Sequence, residues 1–497
     1  MKQFLIIPMG GLGSRFIDAG YKTYKPFLKV SKKTRIIDGI IDNFPISNTH
    51  VIILGNKKKY TYISTNLRKK NITFIKIKNH NSGPLYSIFL AKQKLKEILS
   101  NKNFFISYSD INWKWDFKKA KSKISDREIV ALSHKGFHPH LEIDTKSDFF
   151  TCNSNNNINR VSEKKVILKD YKNNFLATGC YYFKNFSYFD DYFNNKDFRN
   201  DIKKKEAYII NLLNFCLKKN IKINHYLIDK FVHLGLPHHY NDYLRWKNTL
   251  LDQFNKSIKM NNTSIMLMAG EGKRLKSIRE KKPFLNFGDK KIYEYILKKF
   301  GSKKNFIITS KNNQRFINKK STLLTLDKSN SMLETLLKSL ILLKNKKNFF
   351  ILSCDCFGHF AKSDLIKFIN KRKSDIVIFG FKMTKLQRSL SNAHSTIRLK
   401  NRKIKSINVK KKLSNYDNIG HAGFFWVRKN KVFNKLQEFY KKTNLKREIL
   451  LDDYFKFIFD NKFYKVDCFE LSNYVHIGSM KEYNEFKYWE NYFKNEN

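Results

Sequence analysis

Cysteine, proline and long hydrophobic runs are all scarce in this sequence. Six cysteines and seven prolines occur in 497 residues, and six cysteines without a CxxC pair exclude a disulfide scaffold and give no sign of structural zinc. No stretch approaches the roughly 18 to 20 apolar residues that a membrane-spanning helix needs. The opening run MKQFLIIPMGG is too short for a secretory signal. The sequence therefore predicts a cytoplasmic protein without membrane insertion.

Acidic residues are also few. The chain has 42 Asp and Glu against 98 Lys and Arg, a formal net charge of +56, and such an excess by itself suggests a nucleic-acid partner. The basic residues are mostly lysines spread along the chain, and they accompany abundant Asn, Ile, Phe and Tyr. This joint bias is typical of A/T-rich codon preference. We therefore expect no nucleic-acid partner, and a basic nucleic-acid-binding protein is the non-enzyme alternative.

Apolar and aromatic residues are plentiful enough for large cores. They make up 41% and 15% of the chain, respectively, which excludes a chain that is disordered overall. Single hydrophobic cores stop growing at roughly 250 to 300 residues. A chain of 497 residues is therefore expected to form two or three domains.

The chain repeats itself. The segment IIPMGGLGSRFIDAGYKTYKPFLKV near the start resembles SIMLMAGEGKRLKSIREKKPFLNF in mid-chain. The matched pairs, in chain order, are Gly11 and Gly270, Gly13 and Gly272, Arg15 and Arg274, Lys25 and Lys282, Asp110 and Asp355, His233 and His476, and Trp246 and Trp489. Their offset falls from 259 to 243 positions and never increases. This order predicts two copies of one domain, at residues 1–250 and 262–497, of which the second is more divergent.

Within each copy, short apolar runs alternate with amphipathic ones. QFLIIPM, HVIILGN, ITFIKIK, NFFISYS and EIVALSH are typical of buried strands, and LYSIFLAKQKLKEIL has helical spacing. The alternation predicts two tandem three-layer α/β/α domains with mostly parallel sheets. In such sheets, ligands bind beyond the carboxyl ends of the strands.

The loop after the first strand has the composition of a phosphate-binding turn. Gly11 and Gly13 allow a tight turn whose backbone N–H groups face outward, and Arg15 adds a fork of donors. Glycine also occurs in such turns for steric reasons alone. Lys25, held by the following proline, is placed to add positive charge at the same site, and its recurrence as Lys282 favours this interpretation.

Asp110 and Asp355 each end a buried strand. A carboxylate in this position is suited to Mg²⁺, which commonly takes one or two carboxylates together with substrate phosphates. An Asp at such a point also caps turns. The preceding glycine loop, Arg and Lys favour the metal interpretation for both residues.

Both halves resemble the sugar-phosphate nucleotidyltransferases. The resemblance covers nearly the whole chain, and in the first half it depends on GxGxRF, KPF, SGP, the strand-terminal Asp, VSEKK, TGCYYF and HLGLP in that order. It implies a fold related to the nucleotide-diphosphosugar transferases. It also implies a reaction in which a nucleoside triphosphate and a phosphorylated sugar or similar small molecule are joined with release of pyrophosphate.

The resemblance implies roles for individual residues. Gly11, Gly13 and Gly83, with Gly270 and Gly272 in the second half, would bind the nucleotide. Arg15 and Lys25, with Arg274 and Lys282, would be catalytic through stabilisation of phosphate charge. Asp110 and Asp355 would hold Mg²⁺. Glu163 and Lys164, with Lys410, would contact the acceptor.

The sequence also departs from the family pattern. His233 and His476 stand where many members have a second metal-binding Asp, and His is a poor ligand for Mg²⁺. In the second half, Ser331 replaces the Gly83 equivalent and Val409 replaces Glu163. We expect the second copy to be competent for nucleotide but altered, with a different acceptor or a regulatory role.

Several questions stay open at the level of sequence. The nucleobase, the acceptor and the oligomeric state are not determined, and cytidylyl transfer to a non-sugar phosphate fits nearly as well as transfer to a sugar 1-phosphate. The expected use of the product is nucleotide-sugar supply for surface polysaccharide. The enzyme alternative is a glycosyltransferase that consumes nucleotide-sugars, although such enzymes do not need the GxGxR loop or the Lys-Pro pair.

Overall fold

The chain divides into two compact units, Met1–Leu244 and Arg245–Asn497. The computed structural model describes residues 2–56, 58–59, 61, 71–203, 206–251, 260–270, 281–318, 321–327, 329–389, 394–410, 418–444 and 447–494. Gly272 and Arg274 lie outside these described residues.

The first unit alternates strands with helices. Its strands are β1 Gln3–Pro8, β2 Thr49–Gly55, β3 Ile72–Lys76, β4 Phe104–Ser107, β5 Ile111–Lys114, β6 Ile129–Lys135, β7 Phe149–Cys152, β8 Ile158–Ser162, β9 Phe175–Phe183, β10 Ile223–Leu227 and β11 Lys230–His233. Its helices are α1 Ser14–Asp18, α2 Ile36–Asp42, α3 Pro84–Leu90, α4 Lys92–Leu99, α5 Phe117–Ile124, α6 Ser187–Phe193, α7 Lys196–Lys203, α8 Ile209–Lys218 and α9 Pro237–Leu250, the last of which crosses the boundary between the units. Short 3₁₀ turns lie at Lys25–Phe27, Ile46–Asn48 and Tyr171–Asn173.

The strands of the first unit form a nine-stranded sheet in the order β10-β6-β9-β4-β1-β2-β3, with the β7–β8 hairpin attached to β9. Neighbours along this order are parallel except that β9 runs antiparallel to both β4 and β6. A separate antiparallel pair joins β5 to β11. The sheet is therefore mostly parallel.

Strand β1 shows why this sheet is covered on both faces. Successive side chains of a strand point to opposite faces, and Phe4 and Ile6 on one face belong to a core shared with α3, α4, α6 and α8. Leu5 and Ile7 on the other face are also fully buried. A continuous hydrophobic run of this kind is typical of a central parallel strand.

The second unit has the same topology. Its strands are β12 Met260–Met268, β13 Asn286–Phe287, β14 Lys290–Lys291, β15 Ser302–Ser310, β16 Thr322–Leu326, β17 Lys347–Leu352, β18 Cys356–His359, β19 Ile376–Phe381, β20 Thr396–Lys400, β21 Lys403–Asn408, β22 Asn418–Lys429, β23 Val466–Leu471 and β24 Asn473–His476. Its helices are α10 Ile292–Phe300, α11 Met332–Lys338, α12 Lys362–Arg372, α13 Lys385–Ser389, α14 Leu436–Lys442, α15 Leu451–Asp460 and α16 Met480–Phe493. Short 3₁₀ turns lie at Lys282–Phe284, Lys311–Phe316, Leu340–Leu343 and Asn430–Phe433.

The main sheet of the second unit runs β16-β15-β12-β17-β22-β19-β23, with the β20–β21 hairpin attached to β22 and a separate β18–β24 pair. Each strand matches a strand of the first unit in position and direction, including the antiparallel β22. The predicted class, two tandem α/β domains with mostly parallel sheets, is confirmed. Within the described stretches, no helix combines the length and apolar character that crossing a bilayer requires.

Candidate active site

The first unit contains a cleft of about 1270 Å³. The loops that follow β1, β2, β3 and β4 all border it, as expected for the carboxyl edge of a parallel sheet. All the candidate site residues of the first half line this cleft, namely Gly11, Gly13, Arg15, Lys25, Gly83, Asp110, Glu163 and Lys164. Residues that lie far apart in the chain are thereby brought to one site.

The glycine loop joins β1 to the short helix α1. Gly13 has φ 72°, a left-handed conformation that side chains rarely adopt, and its carbonyl accepts the backbone N–H of Phe16 at 3.1 Å. Gly11 and Arg15 are exposed where the loop borders the cleft. The loop therefore presents both backbone and a guanidinium to the open space.

Lys59 holds this loop from behind, although nothing in the sequence singled it out. Its ammonium donates to the carbonyls of Met9 and Gly11, each at 2.5 Å. Burial, and secondarily the nearby charge of Lys25, lower the pKa of Lys59 to about 8. Because it follows β2 among a run of lysines, its role depends on a contact that sequence spacing does not reveal.

Lys25 and Asp110 meet in the cleft. The Lys25 ammonium donates to Asp110 Oδ2 at 2.7 Å. Burial by itself would raise the pKa of Asp110, but the charge and hydrogen bond of Lys25, together with His233, outweigh burial and hold the pKa below its ordinary value. Asp110 is therefore a carboxylate at neutral pH, as metal binding requires.

His233 lies at the end of β11, close to Asp110. The pKa of His233 is lowered mainly by burial, although the Asp110 carboxylate acts in the opposite direction. Its Nδ1 faces Nδ1 of His239 at 3.2 Å. An imidazole in this position leaves Asp110 as the predicted carboxylate ligand of the first unit.

Glu163 and Lys164 follow β8 and line the cleft. The Lys164 ammonium pairs with Glu206 Oε2 at 2.7 Å and lies 4.5 Å from the centre of the Tyr208 ring. Glu163 Oε2 accepts the side-chain amide of Asn211 at 2.9 Å. This region therefore presents both charged and hydrogen-bonding groups to the cleft.

Three of these partners were missed by the sequence analysis. Glu206, Tyr208 and Asn211 all line the cleft at the start of α8. The only local signal is the Tyr208 and Asn211 pattern at the helix start, where Asn211 Oδ1 accepts the N–H of Tyr208 at 2.8 Å. Such a cap indicates a helix terminus and not a binding site.

Asp148 also lines the cleft and was not predicted. Its Oδ1 accepts the backbone N–H of Lys164 at 3.1 Å. Desolvation is the main cause that raises the pKa of Asp148 to about 6. The cleft therefore contains, beside Lys164, a carboxyl group whose pKa lies well above its ordinary value.

Gly83 begins α3 with φ 83° and ψ 169°. A Cβ at this position would lie 2.5 Å from the backbone oxygen of Ala207. Ala207 donates its N–H to the Ser82 carbonyl at 2.8 Å. The close approach that requires glycine in this structure is to the chain at Ala207, and the predicted contact of Gly83 with a base remains a prediction.

The second unit keeps part of this arrangement. The Lys282 ammonium lies 3.4 Å from Asp355 Oδ2 and 3.2 Å from the Gly478 carbonyl. Asp355 Oδ1 accepts the Ser353 hydroxyl at 2.7 Å. Gly270 is exposed at the end of β12, so the described candidates again follow strand ends.

The second-unit positions that match Gly83, Glu163 and Lys164 differ in part. Ser331 has extended backbone and caps α11 by accepting the N–H of Glu334 at 3.0 Å. Val409 is buried, whereas Lys410 has φ 44°, close to the 51° of Lys164. The backbone at this lysine is thus alike in both units, although its neighbours are not.

Comparisons with known proteins gave matches among solved structures. Neither a family model nor a curated protein sequence matches this chain. Similar structures include the nucleoside-diphosphate-sugar pyrophosphorylase from Vibrio cholerae RC9, with 17% identity, 48% of this chain and 99% of that chain covered, and a TM-score of 0.40. A UDP-glucose pyrophosphorylase complexed with UDP-glucose has 18% identity, covers 47% of this chain and 99% of its own, and has a TM-score of 0.39.

The inositol-1-phosphate CTP transferase from T. maritima is also similar, with 18% identity, coverage of 48% of this chain and 99% of its own, and a TM-score of 0.37. Each match covers about half of this chain. At these identities the similarity concerns the fold.

Proposed function

We propose that the first unit is a nucleotidyltransferase that joins a nucleoside triphosphate to a phosphorylated small molecule and releases pyrophosphate. The proposal depends above all on one observation, the convergence of the glycine loop, Arg15, Lys25, Asp110, Glu163 and Lys164 on a single cleft. A cleft of about 1270 Å³ exceeds the roughly 300 to 1,000 Å³ of an ordinary ligand pocket, which suits two substrates side by side.

The chemistry requires positioning and charge stabilisation. An oxygen of the acceptor phosphate attacks the α-phosphorus, a bond forms between them, and the bond from the α-phosphorus to the bridging oxygen breaks so that pyrophosphate leaves. Transfer of this kind needs little covalent chemistry from the protein. Arg15 and the loop N–H groups would stabilise the charge on the leaving group, and Lys25 would orient the reacting phosphates.

The acceptor already carries its nucleophile, so no Ser or Cys nucleophile is needed. Cys356 is buried with its thiol directed to the Ala422 carbonyl at 3.1 Å, and burial raises the pKa of both Cys354 and Cys356. Neither thiol is assigned a role in the reaction.

Mg²⁺ is the proposed cofactor. Asp110, and Asp355 in the second unit, would hold it together with substrate phosphates, and the ion would neutralise phosphate charge when bound. The lowered pKa of Asp110 supports this choice because the ligand must be ionised. The Lys25 ammonium pairs with this carboxylate in the structure, so binding requires Lys25 to turn toward the phosphates.

We further propose that the acceptor is a sugar 1-phosphate, with a non-sugar phosphate as the alternative. Glu163 would accept hydroxyl groups of the acceptor, and Lys164 would contact its phosphate. The product would supply surface polysaccharide synthesis from the cytoplasm. The cytoplasmic location is supported by six free cysteines, since such thiols persist in a reducing compartment.

The second unit is proposed to have an altered or regulatory site. It retains Gly270, Lys282 and Asp355, but Val409 offers no carboxylate and Ser331 occupies the position of Gly83. Such a site can bind nucleotide without carrying the same acceptor.

The assay is release of pyrophosphate by the full-length protein. Each nucleoside triphosphate is incubated with Mg²⁺ and a panel of sugar 1-phosphates and non-sugar phosphomonoesters. We expect one combination to release pyrophosphate, and Arg15→Ala to lower kcat by roughly 10²- to 10³-fold, the usual cost of removing one stabilising donor. Arg127→Ala is the control, because Arg127 is exposed and does not line the cleft.

Two outcomes would contradict the proposal. Cleavage of nucleotide-sugars without pyrophosphate release would identify a glycosyltransferase. An affinity for nucleic acid that triphosphate does not affect, with no turnover of any substrate, would favour the non-enzyme alternative; such binding would weaken steeply with salt.

A further inference from the structure

Three metal-ligating side chains meet in the second unit, beside the candidate site. Glu482 Oε1 lies 3.2 Å from His394 Nε2 and 2.9 Å from His476 Nδ1. These ligand atoms all lie within 4.8 Å of one another. The side chains of His394, His476 and Glu482 are 3%, 10% and 2% exposed, respectively. A buried cluster of this composition needs an explanation, because buried charges are normally paired or bound to metal.

Three different segments supply these side chains. His394 lies in the connection from β19 to β20, His476 ends β24, and Glu482 lies in the first turn of α16. Glu482 also serves the helix start, because its Oε2 accepts the Ser479 hydroxyl at 2.8 Å. Helix capping therefore accounts for Oε2, and it leaves unexplained why Oε1 faces two imidazoles.

The spacing fits a tetrahedral ion. Zinc binds imidazole nitrogen and carboxylate oxygen at about 2.0 to 2.2 Å, so neighbouring ligand atoms of a tetrahedral site lie about 3.3 to 3.6 Å apart. The separations from Glu482 Oε1 are 3.2 Å and 2.9 Å. An ion would need only a few tenths of an ångström of adjustment along these two edges.

A second carboxylate lies near His476. Its Nδ1 faces Glu482, and its Nε2 faces Asp355 Oδ2 at 3.8 Å. Histidines that bind metal commonly direct their other ring nitrogen to a carboxylate, which selects the tautomer and the ring orientation. Asp355 is placed to do this for His476.

The first unit has histidines in the corresponding region. His140 lies in the connection from β6 to β7, His233 ends β11, and His239 lies in the first turn of α9. The rings of His140 and His239 stack at 3.9 Å. His239 Nε2 is buried without a hydrogen-bond partner among the described residues. The two units thus have potential metal ligands at two matched places, His233 with His476 and His239 with Glu482.

The second of these places contains His239 in one unit and Glu482 in the other. These side chains differ in size, charge and shape, but both can bind zinc through one atom. The exchange is compatible with metal binding.

We propose that His394, His476 and Glu482 bind a zinc-class transition-metal ion in the second unit. Two imidazoles and a carboxylate suit Zn²⁺, and the hard cation Mg²⁺ prefers oxygen ligands. The ion would link α16, β24 and the β19–β20 connection, so its role would be to stabilise this part of the second unit. The competing arrangement is a hydrogen-bonded network in which protons take the place of the ion.

The test is Zn²⁺ binding by the untagged full-length protein after treatment with a chelator, measured by competition with a chromophoric chelator. Co²⁺ substitution adds a visible spectrum that reports tetrahedral geometry. We expect His394→Ala and Glu482→Gln each to bind one equivalent less than wild type, with affinity at that site weakened at least roughly 100-fold, since loss of an outer partner alone already costs about 10- to 100-fold.

Two further variants make the result specific. Glu482→His introduces the ligand found at the matched place in the first unit, and we expect it to retain the equivalent that Glu482→Gln loses. The control is His421→Asn, because His421 is likewise buried in the second unit and pairs with Asp452 at 2.9 Å. It should bind as much zinc as wild type.

The proposal is overturned if wild type and Glu482→Gln bind the same amount of Zn²⁺, or if His421→Asn loses the same equivalent. Equal Zn²⁺ binding by wild type and both Glu482 variants would instead support the hydrogen-bonded network. Glu482→Gln keeps a side-chain oxygen for Ser479, so helix capping is retained in this variant. Zinc stoichiometry is measured without turnover, so its outcome is independent of the proposed nucleotidyltransferase activity.

Discussion

The two units share one strand order but place different side chains at matched positions of the site. Asp148 precedes β7 in the first unit, and Ser395 precedes β20 in the second. Gly83 and Ser331 each begin a helix, one with φ 83° and the other with φ −148°. The sheet tolerates these changes because its core depends on alternating buried strand residues, whereas the site depends on the loops. Similar folds therefore do not imply similar chemistry.

The Lys–Asp pairs of the two units also differ in geometry. Lys25 approaches Asp110 to 2.7 Å, whereas Lys282 lies 3.4 Å from Asp355 and also donates to the Gly478 carbonyl. Ser353 additionally donates to Asp355. The second carboxylate thus has more protein partners and offers less to a metal ion.

The largest expected effect separates the two carboxylates. Asp110→Asn should lower the rate of pyrophosphate release by roughly 10³-fold. It removes the proposed metal ligand, and it leaves the positive charge of Lys25 without the neighbouring carboxylate. Asp355→Asn should change the rate at most about tenfold, within the range of coupling between sites. Steady-state kinetics on both full-length variants makes the comparison. Equal losses would show that both units catalyse the reaction, and a loss for Asp355→Asn alone would reverse the assignment.

The next effect concerns stability at the two helix starts. Gly83→Ala should destabilise the first unit by about 2 to 3 kcal/mol. The positive φ of this position costs residues other than glycine about 1 to 3 kcal/mol, and the new Cβ would overlap the Ala207 oxygen. Ser331→Ala should cost the second unit about 1 kcal/mol through loss of the helix cap. Hydrogen exchange followed by mass spectrometry in increasing urea resolves the two units.

Gly136→Ala is the matched control for Gly83→Ala. Gly136 also has positive φ, 98°, but a Cβ there meets nothing within 4 Å. Its substitution should therefore cost less, because it strains the backbone without an overlap. If both alanine variants lose the same stability, the contact with Ala207 does not explain the glycine at position 83.

The smallest effect is a pH dependence confined to the first unit. Burial raises the pKa of Asp148 to about 6, so the folded state favours the protonated form. The stability contribution of Asp148 is complete below the ordinary carboxyl pKa of about 3.9 and is lost as the pH rises through 6. Asp148→Asn removes the titrating group, so we expect the first unit of this variant to be more stable than that of wild type at pH 8. The expected gain in the free energy of unfolding is about 1 kcal/mol, a discounted value because the side chain is half-buried.

The second unit has Ser395 at the matched position, so its stability should lack this contribution. Hydrogen exchange at pH 5 and pH 8 provides the measurement. The amide oxygen introduced by Asp148→Asn would still accept the Lys164 N–H, which keeps the local hydrogen bond. An unchanged pH dependence in this variant would show that another group is responsible.

Local patterns were sufficient to predict much of the fold. The runs of buried apolar residues in β1, β2 and β4 identify strands because a strand covered on both faces must be apolar throughout. The order of the repeated motifs predicted that the architecture occurs twice. The antiparallel direction of β9 was not predicted, since a buried antiparallel strand has the same apolar composition as a parallel one.

The candidate site was predictable only where a motif was local. Gly11, Gly13 and Arg15 lie within five positions, and loops that follow strands can be recognised from composition. Lys59, Asp148 and Glu206 could not be recognised, because nothing near them in the chain indicates which distant carbonyl or ammonium they contact. The assignment of roles to all of these residues stays a prediction until the reaction is measured.

The sequence by itself determined the class of fold, the duplication and the short motifs at the strand ends, because hydrophobic periodicity and local turn chemistry depend on neighbouring residues. Only the tertiary structure decided that Lys59 supports the glycine loop, that Ala207 requires glycine at position 83, and that Glu482 lies between two imidazoles. These contacts join residues from separate segments. The energies of these contacts depend on the distance between the groups and on their burial. Both are determined only when the sheet assembles.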